Sequence, residues 1–317
     1  MTETNSFKFE PRRWRIIHRH RLLAVGLVIG FLLAAQPAQT EALAPERLAE
    51  LLAFDPQSPI VVNHGRWRTF LGYYAKQKVD GDYRINYSGV SPFGKDWLEK
   101  YIAYLSETNW PALNRDDQLA GWINFYNALS MKLVIDKPPN RRLKRKLRYP
   151  ERDSGPFLDK QVTVLDVPLS VHDIREILLT GWADPRIHYS LVGPAGGGPS
   201  INPVPYRGAD VDQQLDAAAK RFINSRRGIL IRRNNVYASR LFQWFRSDFG
   251  GTDSAILDHV RHYADADLLA DLEARTTISE YRYNWNMPRF GRNRFRAPDF
   301  PKCWGIGGRG THGGRGC

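Results

Sequence analysis

The sequence predicts an α+β fold, a single domain with several helices around a small, mostly antiparallel sheet. Three observations predict it. Arg115 to Ile135 is a long helical stretch with apolar residues on nearly every side, and shorter segments repeat apolar residues at helical spacing. The strand-like stretches are short and bounded by turn residues. The chain has 317 residues, 42% of them hydrophobic, which is ample for one sizeable core. No internal repeat is visible, and a cysteine-protease-like layout is one arrangement this class allows.

The chain opens on a basic leader, with Lys8, Arg12, Arg13, Arg15, Arg19 and Arg21 against Glu3 and Glu10. An apolar run from Leu22 to Ala35 follows and Gln36-Pro37 ends it. About 14 residues is short for a spanning helix, which needs about 20, and fits the apolar region of a secretory signal. Thr40-Glu41-Ala42 offers a small-residue cleavage site, while the long basic leader suits an uncleaved anchor. Residues 1–42 are therefore read as a signal peptide or signal anchor. Either way the remainder is expected outside the cytoplasm, in the periplasm or held at the inner membrane. Arg12-Arg13 is a poor twin-arginine match because Trp14-Arg15 follows it.

After the leader, Pro45 to Ala53 reads as a short amphipathic helix with Leu48, Leu51 and Leu52 on one side. Trp67 to Lys78 is a second helical segment, and Tyr83 to Tyr87 alternates like an edge strand. Trp97 to Ser106 is helical again. Asn114 suits the cap of the long helix, and Asp116-Asp117 suit its positive N-terminus. Asn124 and Asn127 share a face of that helix, being three residues apart. Two buried amides need partners, so they either hold a neighbouring loop or orient a catalytic group or a substrate.

Pro138-Pro139 stops the helix, and the basic run Arg141 to Arg148 follows as a solvated loop or helix flank. Thr163 to Leu165 is a candidate strand, and Ser170 suits the cap of a helix from Val171 to Thr180. Asp184-Pro185 reads as a turn and Arg186 to Val192 as a short half-buried strand carrying the lone His188. The loop Gly193 to Ser200 is rich in glycine and proline. His188 titrates near neutrality and could act as base, acid or ligand, although an ordinary strand and turn would look the same.

Val211 to Asn224 reads as a helix, and Gly228 to Ile231 with Asn235 to Tyr237 as a hairpin. Ser239 to Phe249 is a short aromatic helix ended by Gly250-Gly251. Ala255 to Ala274 holds one or two more helices, and Ile278 to Trp285 is a last aromatic strand or arm. Residues 289–317 turn to Arg, Pro and Gly, with seven glycines in the last fifteen residues, and are read as a basic tail unable to fold alone.

The net charge is +13 and the pI about 9.8. Such a balance favours anionic lipid or acidic polymers, but no basic run forms a nucleic-acid motif, so DNA and RNA are set aside. Both cysteines, Cys303 and Cys317, lie in the tail. The body therefore has no thiol, which excludes a cysteine nucleophile and a thiolate metal site from it. No cofactor and no metal is expected.

Four blocks, Leu119 to Ala128, Asp184 to Leu191, Leu241 to Phe249 and Tyr283 to Asn286, resemble in that order the blocks of the domain of unknown function 547 family. The resemblance spans about Trp67 to Met287 and marks 43–288 as the family-like domain. It also implies that the family pattern places a cysteine pair where Gly193 and Gly198 stand, with a proline kept as Pro199, and often a glutamate where Arg175 follows Ile174. A thiol hydrolase built from that pattern, with the histidine as activator and an asparagine as orienter, could not run here.

Three readings follow. The first is a binding or scaffolding domain for a protein, peptide or envelope polymer that keeps a cleft of His188, Asn124 and Asn127 without the thiol. The second is a hydrolase with His188 as general base, Ser200 or Ser190 as nucleophile, and glycine-loop amides receiving the oxyanion. The third is an anionic-surface binder acting through the basic runs.

Overall fold

The computed structural model describes residues 43–136 and 155–287. The leader, the basic run 141–148 and the tail with both cysteines lie outside the described residues. Within them the fold is α+β, helix-rich, with strands divided among three small sheets.

Helix α1 (Pro45–Leu52) enters through a proline in its first turn, and α2 (Gly65–Tyr74) buries Trp67, Phe70, Leu71 and Tyr74. The expected continuation of α2 to Lys78 does not occur. Ala75–Gln77 instead forms β1, paired antiparallel with β2 (Tyr83–Ile85). Asp80-Gly81 is responsible, because Gly81 takes φ of 82° and turns the chain so that the Lys78 N–H reaches the Asp82 carbonyl at 2.7 Å. Helix α3 (Pro92–Ser106) is capped by Ser91.

Helix α4 (Arg115–Asp136) is buried along almost its whole length, from Asp117 to Ile135. Asn114 caps it as expected, its Oδ1 accepting from the Asp117 N–H at 2.9 Å. Around it pack α3 and α5 (Val171–Trp182), with Trp110 stacked on Trp122 at 3.8 Å between centroids. A hairpin of β3 (Val162–Val164) and β4 (Val167–Leu169) leads into α5. Ser170 and Asp173 close a capping box there.

Helix α6 (Val211–Ile223) joins two apolar clusters. Val211 and Leu215 belong to the one built on α1 to α5, whereas Ala218, Ala219 and Phe222 belong to the second. That second cluster lies against β5 (Ile229–Arg232) and β6 (Asn235–Ser239), an antiparallel pair, and β7 (Glu280–Arg282), which adds to β6 in parallel. Helices α7 (Arg240–Trp244), α8 (Asp253–Tyr263) and α9 (Ala266–Leu272) complete it.

One element differs in kind from expectation. Arg186 to Val192 is not a strand: Pro185–Tyr189 is a 3-10 helix capped by the Asp184 carboxylate, which accepts the Arg186 N–H at 2.8 Å. A strand would need a neighbouring strand for its polar groups, and α4 supplies side chains instead. Asn127 Nδ2 donates to the Ser190 carbonyl at 3.0 Å, its Oδ1 accepts from the Val192 N–H at 2.8 Å, and Ser130 Oγ donates to the Val192 carbonyl at 2.9 Å. These side chains satisfy the backbone that a ladder would otherwise pair.

Candidate functional site

The 3-10 helix sits at the seam between the two clusters, with Ile187 in the first and Tyr189 in the second. His188 lies between them and is only 3% exposed. Its ring stacks on Phe245 at 4.1 Å and tilts against Phe249 at 5.5 Å. Its Nε2 lies 2.7 Å from Asp248 Oδ2, and Asp248 Oδ1 accepts from Ser247 Oγ at 2.9 Å.

The hydrogen bond from His188 holds the Asp248 carboxyl below its usual range. An ionised carboxylate only accepts, so the imidazole proton sits on Nε2 and the lone pair on Nδ1. Burial lowers the His188 pKa, with the neighbouring Arg175 charge acting the same way; Asp248 opposes them but does not win. His188 is therefore a neutral, carboxylate-oriented imidazole near neutral pH. Arg175, on α5, lies 5.3 Å from the Phe245 centroid and pairs with Glu176.

A cleft of about 520 Å³ opens beside this pair. Its lining includes Glu176, Leu179 and Thr180 of α5, Pro185 of the 3-10 helix, and Phe245 and Asp248. Asp248 thus faces the cleft and also anchors His188. Further along, Arg186 binds Asp184 at 2.8 Å and also reaches Asp212 and Asp216.

Both asparagines hold backbone, and Asn124 also meets two side chains. Asn127 clamps residues 190–192 as described. Asn124 Oδ1 accepts from Trp67 Nε1 at 3.2 Å and from the Tyr206 N–H at 3.1 Å, while its Nδ2 donates to the Tyr206 carbonyl at 2.8 Å. The imidazole that Asn124 meets is that of His64, 3.4 Å from its Nδ2.

Ser200 belongs to another network. Its Oγ donates to Asp82 and accepts from Arg227 Nη2 at 3.2 Å, and Asp82 pairs with Arg227. Burial raises the Asp82 pKa. Ser190 Oγ donates to the Ile187 carbonyl at 2.7 Å. Neither hydroxyl shares the His188–Asp248 hydrogen bonds.

The glycine loop is held from both sides. Arg84 donates to the carbonyls of Gly196, Gly198 and Pro199 at 2.8–3.2 Å. The Gly196 and Gly197 N–H groups donate to Asn286 and Asn284 carbonyls at 2.7 and 2.8 Å, and the Gly198 N–H to the Ala195 carbonyl. These amides are occupied. A Cβ on Gly197 would stand 2.5 Å from the Asn284 nitrogen, so only glycine lets the arm after β7 lie so close. Tyr283, Trp285 and Trp244 pack together over it at 4.6–5.4 Å.

Residues 111–223 match the model of a family described as "Protein of unknown function, DUF547". Over that stretch the chain is similar to the DUF547 family, which supports membership of it. No curated protein and no solved structure matches the chain. The DUF547 stretch contains Asn124, Asn127, His188 and the glycine loop, and ends before Asp248. At the two glycines where the resemblance implies cysteines, a Cβ on Gly193 meets open space, while one on Gly198 would face the Tyr283 hydroxyl at 3.1 Å.

Sequence reasoning gave no role to Asp248, although it sits in one of the four blocks between Phe245 and Phe249. It lies 60 residues from His188, and no periodicity links the two. His64, Asp82, Arg84 and Arg227 were missed for the same reason: each acts on a segment distant in sequence. Among the described residues no group of three or more His, Cys, Asp or Glu could hold a metal ion.

Proposed function

We propose that this chain is an exported or membrane-anchored envelope protein whose DUF547 region serves as a binding domain, taking a protein, peptide or polymer segment into the cleft beside His188. The observation that carries this reading is the double role of Asp248, which orients a neutral imidazole and presents its carboxylate to a 520 Å³ cleft. That volume falls within the usual range of ligand sites, about 300–1,000 Å³. Leu179, Pro185 and Phe245 suit an apolar group, and Glu176 and Asp248 suit hydrogen-bond donors at its edge.

Hydrolysis is less well supported. A serine nucleophile needs a base within hydrogen-bond reach, yet Ser200 bonds Asp82 and Arg227, and Ser190 bonds backbone. The basic leader and apolar run support export, and the basic runs remain candidates for anionic-surface contact.

The test is a binding screen of envelope peptides and polymer fragments against the wild type and Thr180→Trp. Thr180 is exposed on the cleft wall, so an indole there fills the cleft without disturbing the core. Binding lost in the variant is the expected result. A fluorophosphonate probe should leave the protein unlabelled. Labelling of Ser200 or Ser190 that disappears in His188→Ala would replace the binding reading with a hydrolase.

A further inference from the structure

Among the described residues, seven large apolar side chains stand exposed, and three of them share one loop: Phe54 at 45%, Ile60 at 51% and Val61 at 70%. Pro56 and Pro59 are exposed between them. Connecting loops are ordinarily polar, and an apolar cluster held out in solvent marks a contact surface.

The loop is held rigidly from beneath. The Asp55 N–H donates to the Leu113 carbonyl at 2.9 Å, the Ile60 N–H to Ser58 Oγ at 3.2 Å, Asn114 Nδ2 to the Ser58 carbonyl at 3.3 Å, and the Asn63 N–H to the Tyr104 hydroxyl at 3.1 Å. Val62 is buried. The outward side chains are thus presented by a fixed backbone.

The surroundings indicate the occupant. Arg66 and Arg68 are exposed in the first turns of α2, and the Arg115 guanidinium lies 5.2 Å from the Phe54 centroid. Nearby acids are partly engaged: Asp55 accepts the Gln57 N–H and Glu50 pairs with Arg47. The loop begins directly after α1, and α1 begins three residues beyond the leader. From the end of the apolar run at Ala35 to Pro45 the chain can reach about 35 Å at most. A leader held in a bilayer therefore limits how far the start of α1, and the loop that follows it, can lie from the surface.

We propose that the Phe54–Val61 loop docks on the bilayer surface, its apolar side chains entering the interfacial layer and Arg66 and Arg68 meeting anionic headgroups. This rests on the anchored form of the reading above, not on the cleft.

The test uses the full chain with Cys303→Ser and Cys317→Ser and a single Val61→Cys carrying an environment-sensitive fluorophore. It is reconstituted in phosphatidylcholine–phosphatidylglycerol vesicles with nitroxide-labelled headgroups. Val79→Cys, at the fully exposed tip of the β1–β2 hairpin, is the reference. The expected result is several-fold stronger quenching at 61 than at 79. Vesicle-bound protein with equal quenching at both positions overturns the docking surface alone. A blue-shifted but unquenched fluorophore at 61 means protein covers the loop and also overturns it. Failure of the full chain to float with vesicles overturns the anchored reading and the docking surface together.

Discussion

Acidification should destabilise this fold well before its carboxylates protonate, and His64 is the clearest cause. The ring is buried, with Nδ1 2.7 Å from the Tyr101 hydroxyl and Nε2 3.4 Å from Asn124 Nδ2. Asn124 cannot turn, because its Oδ1 is held by Trp67 and Tyr206, so an amide donor always faces Nε2. A proton on Nε2 would set donor against donor. Burial first, and then the Arg68 charge, lower the His64 pKa from 6.5 to about 4.

Above about pH 6.5 His64 is neutral in both states and contributes no slope. Between about 6.5 and 4 the unfolded chain binds a proton that the folded chain refuses, so stability falls as pH falls, by about 1.4 kcal/mol per pH unit and in total about 3 kcal/mol. Below about 4 both states are charged and the loss levels off. His259, lowered to about 4 mainly by burial, acts in the same window. Asp82 acts oppositely: its raised folded pKa means that acid protonates the folded state first. Comparing wild type with His64→Gln cancels these other groups. The assay is urea unfolding followed by tryptophan fluorescence at several pH values across that window. The variant should lose about 1.4 kcal/mol per pH unit of the wild-type slope. An unchanged slope would refute a neutral, donor-facing His64.

Other consequences can be measured separately. Gly197→Ala drives a Cβ into the Asn284 nitrogen and should break the hydrogen bonds from Gly196 and Gly197, costing about 2 kcal/mol. Tryptic cleavage after Arg282 should rise with it; unchanged proteolysis would mean that the arm tolerates the shift. Asp248→Asn removes the main group that raises the His188 pKa, so the imidazole should titrate lower still by NMR, and a higher value would contradict the carboxylate's part in raising it. Asn127→Ala orphans the Val192 N–H and the Ser190 carbonyl and should cost about 3 kcal/mol in urea unfolding. Arg227→Met leaves Asp82 buried without its ion partner and should cost about 3–5 kcal/mol; a loss under about 1 kcal/mol would show that Arg84 suffices.

The helices were legible because their signals are local. Asn114 before Asp116-Asp117 and Ser170 before Asp173 are caps that act within one turn, and both appear where the sequence places them. The burial of α4 on every side follows from its composition. The α2 boundary was misplaced because aromatic spacing outlasted the helix, while the Asp80-Gly81 turn drew residues 75–77 into a hairpin. His188, Asn124 and Asn127 stood out as polar residues in apolar surroundings, and all three are buried and hydrogen-bonded.

The sequence by itself determined the α+β class, the long central helix, the capped helix starts and the absence of a thiol from the body. Each depends on side-chain type and short-range spacing. Only the tertiary structure decided what the polar residues serve. It joined His188 to Asp248 and Ser200 to Asp82, turned the asparagines toward backbone, and made a 3-10 helix of an apparent strand. Those outcomes depend on which distant segment satisfies each buried donor or acceptor, and that requirement carries no period along the chain.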